Sequence, residues 1–200
     1  MAKIGIVYYS MYGATYELAR AIAEGVEKAG GEVHLRRVPD PLLPDEVKSS
    51  DGVRETIAAQ DEVPVADVDE LPGFDGIIFG SPTRYGSATS QLQAFLDTTG
   101  AHWQSGTLVG KAAGFFTGAG TIHGGHESTI LSMSTFAFHQ GMNIVPSGYG
   151  IAPEVMSTRS GGSPYGPTQL GDGEGLSEDE RQIALAYGQH FAQTAAKLAA

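Results

Sequence analysis

The sequence predicts an α/β chain, with a parallel sheet and helices on both faces. Short apolar runs alternate with segments of helical periodicity, the pattern of strand–helix–strand units. One run, "DGIIFG" at 75–80, is uninterrupted, as a strand buried on both faces requires. Right-handed crossovers leave few topologies for such a chain.

Residues 3–9, "KIGIVYY", read as the first strand. A helix over 15–29 follows, with Leu18, Ile22, Val26 and Ala29 on one stripe. Gly30 and Gly31 end it. "EVHLRRV" alternates faces and gives the second strand, and 75–80 the third. The next helix carries Leu92, Phe95 and Leu96. "KAAGFFTG" is the fourth strand, 126–139 a helix, and "MNIVP" the fifth strand. The last helix opens on a capping box, Ser177 to Glu180, and carries Ile183, Tyr187, Phe191 and Leu198. Stretches 38–73 and 147–175 read as irregular, the second too rich in glycine for regular structure. Loops of that length usually serve a site or an interface. We expect one domain over 1–200 with these two as insertions.

Composition limits the function. Hydrophobic residues make up 41% of the chain, enough for a packed core, and no apolar run reaches the roughly 18 residues of a membrane helix. The opening "MAKIGIVYYS" has one lysine and then a strand, without a signal-peptide pattern. Cysteine is absent, which excludes disulfides, thiolate nucleophiles and cysteine metal sites and is compatible with the cytoplasmic location we expect. The formal charge of −11 opposes nucleic-acid binding, which relies on Lys and Arg.

In open parallel sheets, ligands bind beyond the carboxyl ends of the strands. Three such ends are distinctive. "SMYGAT" follows the first strand and precedes a helix, whose free N–H groups and dipole make an anion site. The same residues also describe an ordinary helix cap. Walker A and G-x-G-x-x-G patterns are missing from this turn, and the chain has no G-x-S-x-G. "SPTRYGS" follows the third strand and supplies an aromatic, Tyr85, which is either a wall for a flat ring or a core plug. "TGAGTIHGGH" follows the fourth, with four glycines and His123-x-x-His126. That loop holds no acidic residue, so we expect no metal. Together the three describe a phosphate pocket, an aromatic wall and a floor where backbone reaches a ring edge. FMN fits that description.

"YYSMYGAT", "GSPTRYGS", "FLDTTGAHW", "GGHESTI", "VPSGYG" and "GGSPYGPTQLGDGEG" resemble the WrbA family, flavodoxin-like NAD(P)H:quinone oxidoreductases. The resemblance runs nearly end to end. It implies a five-stranded parallel sheet in order 2-1-3-4-5. It implies that Ser10, Met11, Tyr12, Gly13, Ala14 and Thr15 hold the FMN phosphate. Thr83, Arg84 and Tyr85 would line the flavin, with Pro82 and Gly86 adjacent. Thr117, Gly118, Ala119, Gly120, Thr121 and Gly124 would approach the ring edge, and His139 would face it. Tyr12, Tyr85 and Trp103 would shape the nicotinamide and quinone cavity. By residue type alone, Trp103 is a core anchor and His139 a helix-terminal cation. The 118–124 loop departs from the family, with Ile122-His123 where a Thr-Gly step is expected.

The implied reaction is ping-pong. NADH or NADPH gives a hydride at flavin N5 and leaves, and a quinone then takes two electrons in the same cavity. The family implies a homotetramer in which Trp103 serves a neighbouring subunit. Two alternatives are a one-electron carrier that docks to redox proteins and a non-enzymatic partner of a transcription repressor, the role behind the family's name.

Overall fold

The computed structural model describes residues 1–41, 43–171, 173 and 175–200. Five strands form the parallel core: β1 (Lys3–Tyr8), β2 (Glu32–Arg37), β3 (Gly76–Arg84), β5 (Ala112–Ala119) and β6 (Asn143–Ile144). Two short strands extend it, β4 (Ser87–Ala88), antiparallel to β3, and β7 (Thr168–Leu170), parallel to β5. The order β2-β1-β3-β5-β6 is the expected 2-1-3-4-5 when the core strands are counted in sequence.

Helices α1 (Ala14–Lys28) and α8 (Glu178–Leu198) cover one face, and α4 (Ser90–Asp97) and α6 (His126–Gln140) the other. The apolar stripes dictate this. Leu18, Ile22, Val26, Tyr187 and Phe191 pack with Ile4, Ile6 and Phe116 of the sheet. Leu92, Phe95, Ile130 and Met133 pack with Val7, Phe79 and Phe115, residues of opposite strand parity. Burying each such side chain contributes about 1.5–3 kcal/mol. Helices α1 and α8 touch where both sequences have glycine: a Cβ on Gly188 would lie 2.1 Å from the Ile22 carbonyl oxygen. The expected helix boundaries hold to within a residue, and the capping box of Ser177 and Glu180 is formed.

Three expectations need correction. The 38–73 stretch is not irregular: it contains α2 (Asp45–Lys48), α3 (Val53–Ala59) and a 3-10 helix (Val68–Gly73). Helix α3 forms because Val53 and Thr56 turn inward. The 147–175 stretch contains α7 (Glu154–Ser157) and β7. Here tertiary pairing overrides glycine content. Strand β6 pairs with the start of β5 and β7 with its end, so the outer strand is interrupted by an insertion. Glu180, almost fully buried, holds that insertion: its carboxylate accepts from the N–H groups of Gly161 (2.7 Å), Leu170 (2.7 Å) and Ser177 (2.8 Å). Third, β3 does not stop at residue 80 but runs through "SPTR" into a hairpin. A further helix, α5 (Gly100–Ser105), lies between α4 and β5.

Candidate functional site

The carboxyl ends of β1, β3 and β5 meet at one cleft of about 200 Å³. Ser10, Met11, Tyr12, Ala14 and Thr15 line it from the first, Pro82, Thr83 and Arg84 from the second, and Gly118, Ala119 and Gly120 from the third. Gly171, just past β7, closes the set. Arg84 is the charged side chain among them. Its guanidinium donates to the Thr83 carbonyl (2.9 Å) and lies 3.9 Å from the Met11 sulfur.

The turn after β1 is built to present donors. Ser10 Oγ accepts from the Tyr16 N–H (3.2 Å), closing the turn over the start of α1. Gly13 has φ 94°, a conformation that side chains resist, and its carbonyl starts the helix by accepting from Glu17. The N–H groups of Met11, Tyr12, Gly13, Ala14 and Thr15 find no acceptor among the described residues. Unpaired N–H groups at the amino end of a fifteen-residue helix suit a phosphate monoester.

The β3–β4 hairpin turns on Tyr85 (φ 52°) and Gly86 (φ 81°). A non-glycine residue in that region is strained. The strain is held by packing and hydrogen bonds. Thr83 Oγ1 accepts from the Gly86 N–H (3.2 Å) and from the Thr129 hydroxyl (2.8 Å), and Gly86 lies against Gly125 at the start of α6. Tyr85 is 107% exposed, so it is no core plug. In the third segment, the residues beyond Gly120 form a solvent-facing turn with Ile122 and His123 exposed. His126, buried behind that turn, meets the Thr121 carbonyl through Nε2 (3.2 Å), and burial pushes its pKa down. Among the described residues no three His, Asp or Glu side chains gather as a metal site.

Several expected residues stand outside the cleft. Thr117 is fully buried and donates its hydroxyl to the Ser81 carbonyl (2.6 Å), joining β5 to β3. Thr121, Gly124, Tyr85 and Gly86 lie beside the cleft lining without being part of it. Trp103 and His139 lie farther off. His139 is in the last turn of α6, about 20 Å along the helix from its amino end. Trp103 is on α5, which leads into the amino end of β5, and is 60% exposed, so it is not a core anchor. Both sit at the opposite edge of the sheet from the cleft.

Sequence reasoning missed three contributors from the two long stretches. Gly171 completes the cleft, Gln60 Nε2 donates to the Ser10 carbonyl (3.3 Å), and Asp40 takes the Tyr9 hydroxyl and the Gln91 amide (3.2 Å). Burial and Asp40 raise the Tyr9 pKa above its ordinary value, so this phenol stays a donor. The signal available was the length of those stretches.

Residues 3–156 match the family described as NADPH-dependent FMN reductase. An NAD(P)H dehydrogenase (quinone) of Geobacter sulfurreducens is 50% identical over 198 residues, 96% of this chain and 97% of that one. Another, of Aromatoleum aromaticum, is 44% identical over 201 residues, covering 98% and 97%. Among solved structures, a WrbA-like flavodoxin of Agrobacterium tumefaciens superposes with TM-score 0.67 at 24% identity, covering 98% and 99%. Flavodoxin 1 of Bacillus cereus gives 0.62 at 17%, covering 96% and 98%. These two likenesses show the fold, which is flavodoxin-like. With that fold, a cradle of free N–H groups at the end of β1 and a family match over most of its length, the chain belongs to the NADPH-dependent FMN reductase family.

Proposed function

We propose that the chain is an FMN-dependent NAD(P)H:quinone oxidoreductase of the WrbA type. The observation that carries this reading is the convergence of three strand ends on one cleft, with the unpaired N–H groups of Met11 to Thr15 at one end of it. When bound, FMN supplies the two-electron chemistry between nicotinamide and quinone.

The chain binds and orients. The N–H groups of the first turn take the phosphate, and Ser10 and Thr15 add hydroxyls. Pro82 to Arg84 and Gly118 to Gly120 flank the ring, glycine letting backbone approach its edge. Tyr12 and Tyr85, both exposed, offer aromatic faces to the nicotinamide or quinone.

Trp103 and His139 act, in this reading, from a neighbouring subunit. Val109 and Phe138 are exposed beside them, and the Gly110 N–H bonds the Gly141 carbonyl (2.9 Å), tying the two segments together. An exposed apolar surface of that kind marks an interface. We read the protein as a homotetramer in which this edge of one subunit faces the cleft of another. The net charge of −11 speaks against direct nucleic-acid contact.

The test is NADH oxidation with benzoquinone as acceptor, with and without added FMN. Turnover that depends on FMN supports the assignment. FMN binding without turnover would replace it with an electron carrier.

A further inference from the structure

Among the described residues, the 38–60 stretch supplies none to the cleft lining, yet it touches the phosphate turn. Gln60, the residue that ends α3, is only 5% exposed. Its Nε2 donates to the Thr56 carbonyl (3.0 Å) and to the Ser10 carbonyl (3.3 Å), fifty positions away. The first bond locks the side chain, and the second reaches the turn. Thr56 backs Gly13 in the same way, its hydroxyl 3.4 Å from where a Cβ would stand.

The Ser10–Met11 peptide is a partition. Ser10 and Met11 line the cleft on one side and, on the other, a second cavity of about 190 Å³ shared with Gln60, Val53 and Ile57. The peptide is trans, so its C=O and N–H point in opposite directions. With the Ser10 carbonyl held by Gln60 on the rear side, the Met11 N–H is turned toward the cleft. The rear cavity leaves room for this peptide to turn over. A flipped peptide would present a carbonyl oxygen to the phosphate in place of a donor.

We propose that Gln60 is a positioning residue that fixes the Met11 N–H as a phosphate donor and so makes the site selective for a phosphorylated flavin. This rests on the reading of the turn as the phosphate seat.

Riboflavin carries the same ring without the phosphate, which makes it the control. The full chain, freed of flavin, is titrated with FMN and with riboflavin by fluorescence quenching, as wild type, Gln60→Leu and Gln60→Glu. The expected result is an FMN Kd raised about tenfold in both variants, with riboflavin Kd within about twofold of wild type. Equal loss for both flavins, or no loss for either, overturns the proposal. A wild-type chain that binds FMN no better than riboflavin sinks the phosphate assignment and the proposal with it. A wild-type preference that survives in the variants sinks the proposal alone. A structure of the wild-type FMN complex is independent of whether the variants fold. Met11 N within hydrogen-bond distance of a phosphate oxygen supports the assignment, and a Met11 N–H facing the rear cavity overturns it.

Discussion

The carboxyl edge of the sheet presents free backbone N–H groups beside hydroxyls and one guanidinium, whereas the amino edge presents Trp103, Val109 and Phe138 to solvent. Each edge departs from what a chain acting alone would need. At the carboxyl edge the unmet requirement is hydrogen bonding, and an anion meets it. At the amino edge the unmet requirement is burial, which another protein surface would meet in the proposed oligomer. The difference separates two kinds of functional residue. One kind is gathered within a single chain, and the other, in the proposed oligomer, would act only after assembly.

The largest effect should come from breaking the carboxyl edge. Gly13 sits at φ 94°, and a β-branched side chain there costs about 1–3 kcal/mol unless the turn rearranges. Gly13→Val should therefore raise the Kd for FMN about tenfold to a hundredfold, read by flavin titration, while far-UV circular dichroism stays as in wild type. Unchanged FMN affinity would move the phosphate away from this turn. At the amino edge, Trp103→Ala should leave FMN affinity within about twofold but raise KM for NADH or quinone about tenfold, the loss of one aromatic contact. If both steady-state constants stay at their wild-type values, the amino edge takes no part in the site.

The two edges also differ in how far they could be read from sequence. "SMYGAT" was legible because the strand, the turn and the helix cap are consecutive, so a local pattern carries the geometry. The sheet order was legible for the same reason, as parallel strands joined by helices have few arrangements. Thr117 was named by the resemblance, but the pairing of β5 with β3 turns its hydroxyl onto the Ser81 carbonyl, away from the cleft. Strand β7 and α3 were not legible, because each forms through partners far away in sequence. For Trp103 and His139, family resemblance named the residues, and only the fold shows that they stand at the far edge from the cleft of their own chain.

A smaller effect at the carboxyl edge should follow pH. Burial lowers the pKa of His126 below the ordinary value of 6.5. The unfolded chain then takes up this proton at a higher pH than the folded one. The contribution to stability is full above about 6.5 and is lost as pH falls through the lower folded value. The melting temperature of wild type should drop modestly across that window. His126→Gln, which can still donate to the Thr121 carbonyl, should flatten the drop. An identical pH profile in the variant would assign the acid loss to other groups.

The smallest effect, and the one that divides the two edges most finely, belongs to His139. As a residue in the last turn of α6 it faces the negative end of a helix dipole, worth about 0.3–1 kcal/mol to a cation at an exposed site. If that were its whole role, His139→Ala would shift the melting temperature slightly and leave the flavin alone. If the amino edge of one subunit completes the cleft of another, the same change should lower FMN affinity or the reductase rate about threefold, within the range expected for the loss of one hydrogen bond. The kinetic loss should be confined to the assembled protein. Phe138→Glu, which charges the neighbouring apolar surface, should reduce the oligomer mass seen by light scattering, and in that background His139→Ala should no longer affect the flavin. A His139→Ala effect of equal size in assembled and dissociated protein would contradict the subunit-completed cleft, because α6 places His139 about 20 Å from the cleft end of its own helix.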